Sequence, residues 1–126
     1  MDQRIQYVIA IMQRDLDTEL SLDKMAHSVN LSLWHLCRLF KAETGLPPAR
    51  YLKILRMRRA QALLESTFLS VKEIMNKIGL SDESHFVRDF KSIYGYTPVQ
   101  HRTFHLSIVH RTKRRQEWLT DSNIGQ

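Results

Sequence analysis

The chain has 126 residues, of which 43% are hydrophobic, which suits one domain with a modest core or two very small domains. Its net charge of +6 and isoelectric point near 9.8 favour a polyanionic partner. The single cysteine, Cys37, excludes an intramolecular disulfide. No apolar run approaches the roughly 18 residues of a membrane span, so we expect a cytoplasmic protein without a membrane partner.

The sequence of the first part of the chain predicts three helices. A stripe of apolar side chains at helical spacing indicates the first, which ends near Leu16. Ser21 is a good N-cap for a second helix, which Asn30 closes. Ser32 caps a third helix, and Gly45 supplies the left-handed residue at its end.

The remainder predicts one long helix and then the same punctuation again. Residues 49–66 contain no Gly or Pro and make a rod of roughly 27 Å. Ser70, Gly79, Ser81 and Gly95 then repeat the pattern of N-caps and helix ends seen earlier.

The predicted fold is all-α, with about seven helices in two helix-turn-helix subdomains joined by a long central helix. The first subdomain covers residues 1–46, the linker helix 47–66 and the second subdomain 67–104. Pro98 opens a short last helix. The tail, 105–126, is basic, and we expect it to be flexible and either solvated or weakly helical.

Two stretches about fifty residues apart are versions of one sequence. SLDKMAHSVNLS corresponds to SVKEIMNKIGLS and, after a one-residue insertion, HLCRLFKAETGLPP corresponds to HFVRDFKSIYGYTP. Such a repeat indicates two copies of one supersecondary unit. Asn30 and Gly79 fall at the corresponding turn, where one residue usually takes a positive φ. Either residue alone fits an ordinary helix C-cap, but the pair favours a helix-turn-helix.

The second helix of each unit has an outward stripe of side chains. The stripe is Trp34, Cys37, Arg38 and Lys41 in the first copy and Ser84, Val87, Arg88 and Lys91 in the second. An arginine can bond guanine bidentately and discriminate by about 1–3 kcal/mol, whereas lysines near the helix end more often meet phosphates. Trp34 suggests a contact with sugar, phosphate or a thymine methyl; the alternative is a core tryptophan, if the assumed helix phase is wrong.

The linker helix carries further cations, which are Arg50, Lys53, Arg56, Arg58 and Arg59. A solvated basic face is the ordinary explanation, but a helix that joins two DNA readers favours phosphate contacts for some of them. The residues that we assign to phosphates are Ser32, Lys41, Arg50, Lys53, Arg56, Ser81 and Lys91. The rod could set the readers near one DNA turn apart, about 34 Å, or bend the DNA.

These residues resemble the DNA-binding domain of the AraC/XylS transcription regulators over about residues 1–104. The likeness is carried by LSLWHLCRLFKAETGLPPARYL, RMRRAQALL and IGLSDESHFVRDFKSIYGYTP, and residues 34–45 are most similar to the short MarA-type activators. The resemblance implies a seven-helix fold that binds an asymmetric promoter site as a monomer, with RNA polymerase as protein partner. It also implies base-reading roles for Trp34, Cys37, Arg38, Ser84, His85 and Arg88.

The sequence departs from the family pattern at several positions. Met75 stands where alanine is usual, Leu80 where phenylalanine is usual and His101 where tyrosine is usual. Carboxylates surround Arg88 in the second reader, namely Asp82, Glu83 and Asp89. Because acidic groups near phosphates weaken binding, we expect less base discrimination from this reader.

Other chemistry is poorly supported. His101 and His105 lack a third metal ligand at useful spacing, so we expect surface histidines. There is no Gly-rich phosphate loop and no convincing carboxylate pair, so we expect neither an enzyme nor a cofactor. Two alternatives remain open: a helical module that binds another protein, and the DNA-binding part of a longer effector-sensing regulator.

Overall fold

A computed structural model describes the backbone of residues 1–124 and the side chains of residues 1–119. This part of the chain contains seven helices and no strand. The helices are α1 (Gln3–Arg14), α2 (Leu22–Ser28), α3 (Leu33–Thr44), α4 (Pro48–Ser66), α5 (Val71–Lys77), α6 (Glu83–Tyr94) and α7 (Pro98–Ile124). The predicted all-α class with about seven helices is confirmed.

The helix α4 is shared by two separate hydrophobic cores. Its first half contributes Leu52 to a core built with α1, α2 and α3. Its second half contributes Met57, Ala60 and Leu64 to a core built with α5 and α6. Each core is centred on aromatic side chains of the helix after its turn, so α4 positions both helix-turn-helix units.

The predicted turn chemistry is present in both units. Asn30 has a φ of 58° and Gly79 a φ of 74°. In each turn the next residue donates back to the preceding helix: Leu31 N lies 2.9 Å from the Ala26 oxygen, and the corresponding bond of the second unit is also 2.9 Å. This is the Schellman arrangement, which stops the first helix and turns the chain toward the second.

The N-caps agree with the sequence in three of four positions. Ser21, Ser32 and Ser70 each accept a hydrogen bond from the backbone of the following helix. The prediction that Ser81 caps α6 is wrong, because Asp82 accepts from His85 N at 3.0 Å. Ser81 is therefore the extra residue in the turn of the second copy. The two caps, Ser32 and Asp82, lie fifty positions apart, as the residues that follow them do.

The two subdomains also meet away from α4. The turn residue Gly79 lies against the backbone of the α1–α2 loop, where an added Cβ would overlap the carbonyl oxygen of Leu16 and lie 2.7 Å from that of Thr18. Arg56 reaches the same loop, because its Nη2 donates to the Thr18 oxygen at 3.2 Å. The loop of the first subdomain is thus packed against the turn of the second.

The last helix differs from its prediction in length. We expected a short helix, but α7 continues to Ile124. Its first turns pack on the end of α4, where Arg102 Nε donates to the Leu64 oxygen at 3.1 Å. The expected flexibility of the tail stays a prediction, and residues 125 and 126 lie outside the described part.

The prediction of a surface histidine is wrong for His101. Its Nε2 lies 2.9 Å from Glu65 Oε1, its ring packs edge-on against Phe90, and its side chain is only 14% exposed. His105 is half-buried, with Nδ1 3.8 Å from the same carboxylate. His101 therefore joins α7 to α4.

Two other kinds of feature are absent from the described residues. No group of three side chains is placed to hold a metal ion, and none of the helices combines the length and the apolar character that a membrane span requires.

Replacing Gly79 tests the contact between the subdomains. Gly79→Ala should lower the free energy of unfolding by about 1–2 kcal/mol for its left-handed backbone and by about 1–3 kcal/mol more for overlap with the loop. Gly95→Ala is the matched control, because its φ is 84° and nothing lies within 4 Å of an added Cβ. Urea unfolding of both variants measures the difference. Equal losses would mean that the loop contact contributes nothing to stability.

Candidate nucleic-acid interface

The outer face of α3 exposes the predicted base-reading residues of the first unit. Leu36 and Phe40 are buried on the inner face, which fixes the rotation of the helix. Trp34 lies on the opposite side with 68% of its area exposed, so the core-tryptophan alternative is wrong. Arg38 is also exposed, and Cys37 is half-buried between the two faces.

Trp34 and Arg38 form one unit on this face. The Arg38 guanidinium carbon lies 5.2 Å from the centre of the Trp34 ring, one helical turn earlier. Stacking of this kind uses the flat face of the guanidinium and leaves its N–H groups available at the edge. The ring therefore restrains the arginine while its donors stay free for a bidentate contact. Lys41 is exposed one turn further along the helix.

The outer face of α6 repeats this plan with different residues. Phe86 and Phe90 are buried, and Ser84, His85 and Arg88 are exposed. Ser84 occupies the position of the tryptophan in α3, so Arg88 has no ring to stack on. The second arginine is therefore less restrained than the first.

The cap of α6 adds a carboxylate to this face. Asp82 accepts from His85 N, and its Oδ2 lies 3.2 Å from His85 Nδ1. The backbone bond from His85, and next the bond to its side chain, lower the pKa of Asp82 from 3.8. The carboxylate is consequently ionised at neutral pH and can only accept, so Nδ1 of His85 is the donor in this contact.

Sequence reasoning assigned no role in the fold to Asp82, although a signal was available. Aspartate is among the best N-cap residues, and Asp82 lies fifty positions after the cap Ser32. Because Ser32 and Ser81 are the same residue type, aligning the two copies by residue type pairs them and hides the correspondence between Ser32 and Asp82. Both serines are exposed near the starts of their helices.

The cations of α4 are in different environments. Arg50 is exposed at the first turn of the helix. Lys53 Nζ lies 3.5 Å from Asp89 Oδ1 of α6. Arg56 is half-buried against the α1–α2 loop; burial lowers its pKa, and the charge of Glu19 acts in the opposite direction. Lys53 and Arg56 thus have partners inside the protein, and their assignment to DNA phosphates stays a prediction.

Comparison with known proteins agrees with this geometry. A family model described as a helix-turn-helix domain matches residues 25–103, which include both turns and both outward faces. Two HTH-type transcription regulators and a solved structure with an AraC-type DNA-binding domain each match three quarters or more of the chain. The chain belongs to the AraC/XylS family.

Two of the relatives that match in sequence are transcription regulators. The regulator MtrA of Neisseria gonorrhoeae is 33% identical over 101 residues, covering 80% of this chain and 34% of MtrA. The transcriptional activator RhaS of Escherichia coli strain SE11 is 35% identical over 95 residues, covering 75% of this chain and 34% of RhaS. The chain thus spans about a third of the length of these relatives.

Solved structures share the AraC-type fold. The C-terminal domain of the response regulator AraT from Geobacillus stearothermophilus superposes with a TM-score of 0.78 at 29% identity, covering 82% of this chain and 86% of that one. The DNA-binding domain of AdpA, solved in complex with a target DNA, has a TM-score of 0.77 at 25% identity, covering 90% and 97%. Both subdomains are therefore arranged as in this family.

Changing the α6 cap tests the charge at the second reader. Asp82→Ser should keep the cap, as Ser32 does in α3, and should raise the affinity for random DNA severalfold because a carboxylate is removed. The ratio of specific to random affinity should fall, since His85 loses its partner. Fluorescence anisotropy with labelled duplexes measures both affinities.

The matching controls separate charge from capping. Asp82→Asn removes the charge and keeps an acceptor, so it should behave as Asp82→Ser does. Asp82→Ala removes both and should also destabilise α6. Because the pKa of Asp82 is lowered, the wild-type cap should contribute to stability above about pH 4 and be lost only as the pH falls further. An unchanged affinity in both charge-removing variants would place Asp82 away from the DNA.

Proposed function

We propose that this chain is the DNA-binding unit of a sequence-specific transcription activator, which inserts α3 and α6 into adjacent major-groove segments of an asymmetric promoter site. One observation carries the proposal: two copies of one fold expose outward stripes that keep an arginine and a lysine and differ at the neighbouring positions. A repeated scaffold with divergent outward residues reads two different half-sites. The target is therefore asymmetric, and one molecule occupies it.

The connection between the readers supports this geometry. At 1.5 Å per residue, the 19 residues of α4 make a rod of about 28 Å. Successive major-groove segments on one side of B-DNA lie about 34 Å apart. Because the packing of Gly79 on the α1–α2 loop restricts adjustment between the subdomains, DNA that does not fit this spacing has to bend.

The individual roles follow from position on the two outer faces. The base-reading residues in this proposal are Trp34, Cys37, Arg38, Ser84, His85 and Arg88. Ser32, Lys41, Arg50, Ser81 and Lys91 bind phosphates and set the register. Lys53 and Arg56 would have to leave Asp89 and Thr18 to do the same, so we place them after Arg50 in importance.

The names of related proteins support a regulatory role for this chain. RhaS is named a transcriptional activator, and AdpA was solved on a target DNA. We infer that this unit likewise binds duplex DNA and that its regulatory partner is RNA polymerase. The matched region is about a third of those regulators, so effector binding belongs to the whole proteins and is not assigned to this chain.

Arg38→Ala tests the base-reading role of α3. On a site selected from a random DNA library, the variant should lose about 1–3 kcal/mol of binding free energy and tolerate any base at one position. Its affinity for random DNA should change little. Arg88→Ala should lose less on the same site, because that arginine lacks a stacked ring. An equal loss on specific and random DNA would make Arg38 a phosphate contact.

Lys41→Ala is the matched phosphate variant on the same helix. It should weaken binding to specific and random DNA alike and reduce the slope of log affinity against log salt by about 1.

Binding by the wild type also decides between a DNA-binding function and a protein-interaction module. If the wild type does not bind mixed-sequence DNA, or binds it without steep salt dependence, the interaction module is favoured.

A further inference from the structure

The second half of α7 extends beyond the packed body of the protein. The polar contacts of α7 with α4 include those of His101, Arg102 and His105. Every side chain from Leu106 to Leu119 is exposed. These 14 residues form about 20 Å of helix with no packing that explains their sequence.

The extension is strongly basic. Four of its cations fall within five residues, Arg111, Lys113, Arg114 and Arg115, against the single carboxylate of Glu117. Among the residues whose side chains are described, no carboxylate lies within ion-pair distance of any of the four cations. Unpaired, closely spaced cations on an exposed helix suit a polyanion.

The arginines share one face of the extension. At 100° per residue, Arg111, Arg114 and Arg115 fall within an arc of about 100°, together with the exposed Trp118. The centre of this arc lies about 110° around the helix from the side on which His101 and His105 contact α4. The extension therefore presents a face of arginine and tryptophan to a partner outside the domain.

The composition of this face favours nucleic acid over a lipid surface. A helix that lies on a membrane separates its apolar face from its cationic face. Here Trp118 stands among the arginines, and the opposite side mixes apolar Val109 with polar Thr112, Gln116 and Lys113. Arginine and an aromatic side chain together suit the sugar-phosphate backbone, where hydrogen bonds to phosphate set affinity without reading sequence.

The second subdomain has a particular need for such cations. Its reader is flanked by Asp82, Glu83 and Asp89, and Lys53 is paired with Asp89. These carboxylates offset the exposed cations of α6, Arg88 and Lys91. The helix α7 packs directly on this subdomain, so its extension adds positive charge to the half of the protein that carries these carboxylates.

We propose that residues 106–119 of α7 form a third DNA contact, in which Arg111, Arg114 and Arg115 bind phosphates flanking the segment read by α6. The inference rests on the proposed function, since it assumes that α6 lies on DNA. It adds affinity but no sequence discrimination, because phosphates are the same in every sequence.

The test is a triple variant, Arg111→Gln, Arg114→Gln and Arg115→Gln, studied by anisotropy over a series of salt concentrations. The slope of log affinity against log salt should fall by about 2–3, and affinity near 0.1 M salt by about tenfold or more, on specific and random duplexes alike. The corresponding arginine-to-lysine variant keeps the charge and should keep the slope. Arg4→Gln with Arg14→Gln removes remote charges and should change the slope little.

Duplex length provides a second readout. Trimming the DNA at the edge of the segment read by α6 should remove most of the difference between wild type and the triple variant. Adding about 10 base pairs on that side should restore the difference, because one helical turn of flanking DNA spans the length of the extension. Trimming the opposite end should have no such effect.

The possible outcomes are distinguishable. If the wild type binds DNA with steep salt dependence but the triple variant has the same slope, the third contact is wrong and the proposed function stands. If the wild type itself shows no salt-dependent DNA binding, the proposed function fails and the inference with it. Binding to phosphatidylserine vesicles that is lost in the triple variant, with an unchanged DNA slope, would make the extension a lipid contact instead.

Discussion

The relative placement of α3 and α6 depends on the burial of α4 in two cores at once. Leu52 fixes one end of this helix in the first core, and Met57 and Leu64 fix the other end in the second. Rotation of α4 about its axis would expose apolar side chains at both ends, so each reader is held in a defined direction. The packing of Gly79 on the α1–α2 loop adds a second connection, which restrains bending between the two units.

The outer faces of α3 and α6 differ in their charges more than in their shape. Both expose an arginine and a lysine at the same helical positions. The first arginine lies over the ring of Trp34, whereas the second has Ser84 at the corresponding position of a helix that is capped by the carboxylate of Asp82. In the proposed function this difference makes α3 the stronger reader and α6 the weaker one, which contacts that do not read bases can support. The basic extension of α7 continues from the subdomain that carries α6.

Several structural features followed from single residues. The caps Ser21, Ser32 and Ser70 and the left-handed residues Asn30 and Gly79 are local choices, and the structure confirms them. The Ser81 cap was wrong because two residues at adjacent positions can both cap, and backbone geometry selects between them. His101 was wrong because its partner, Glu65, lies 36 residues away, and nothing in the local pattern indicates that pairing.

The amino-acid sequence was sufficient to predict the two helix-turn-helix units, the helical class and the outward stripes, because these depend on periodicity and on turn residues within about fifteen positions. It also indicated the family. The three-dimensional packing was needed to show which cations have partners, since the partners of Lys53 and Arg56 come from distant segments. It likewise decided that Gly79 joins the subdomains, because a close approach between two backbones leaves no pattern in either segment.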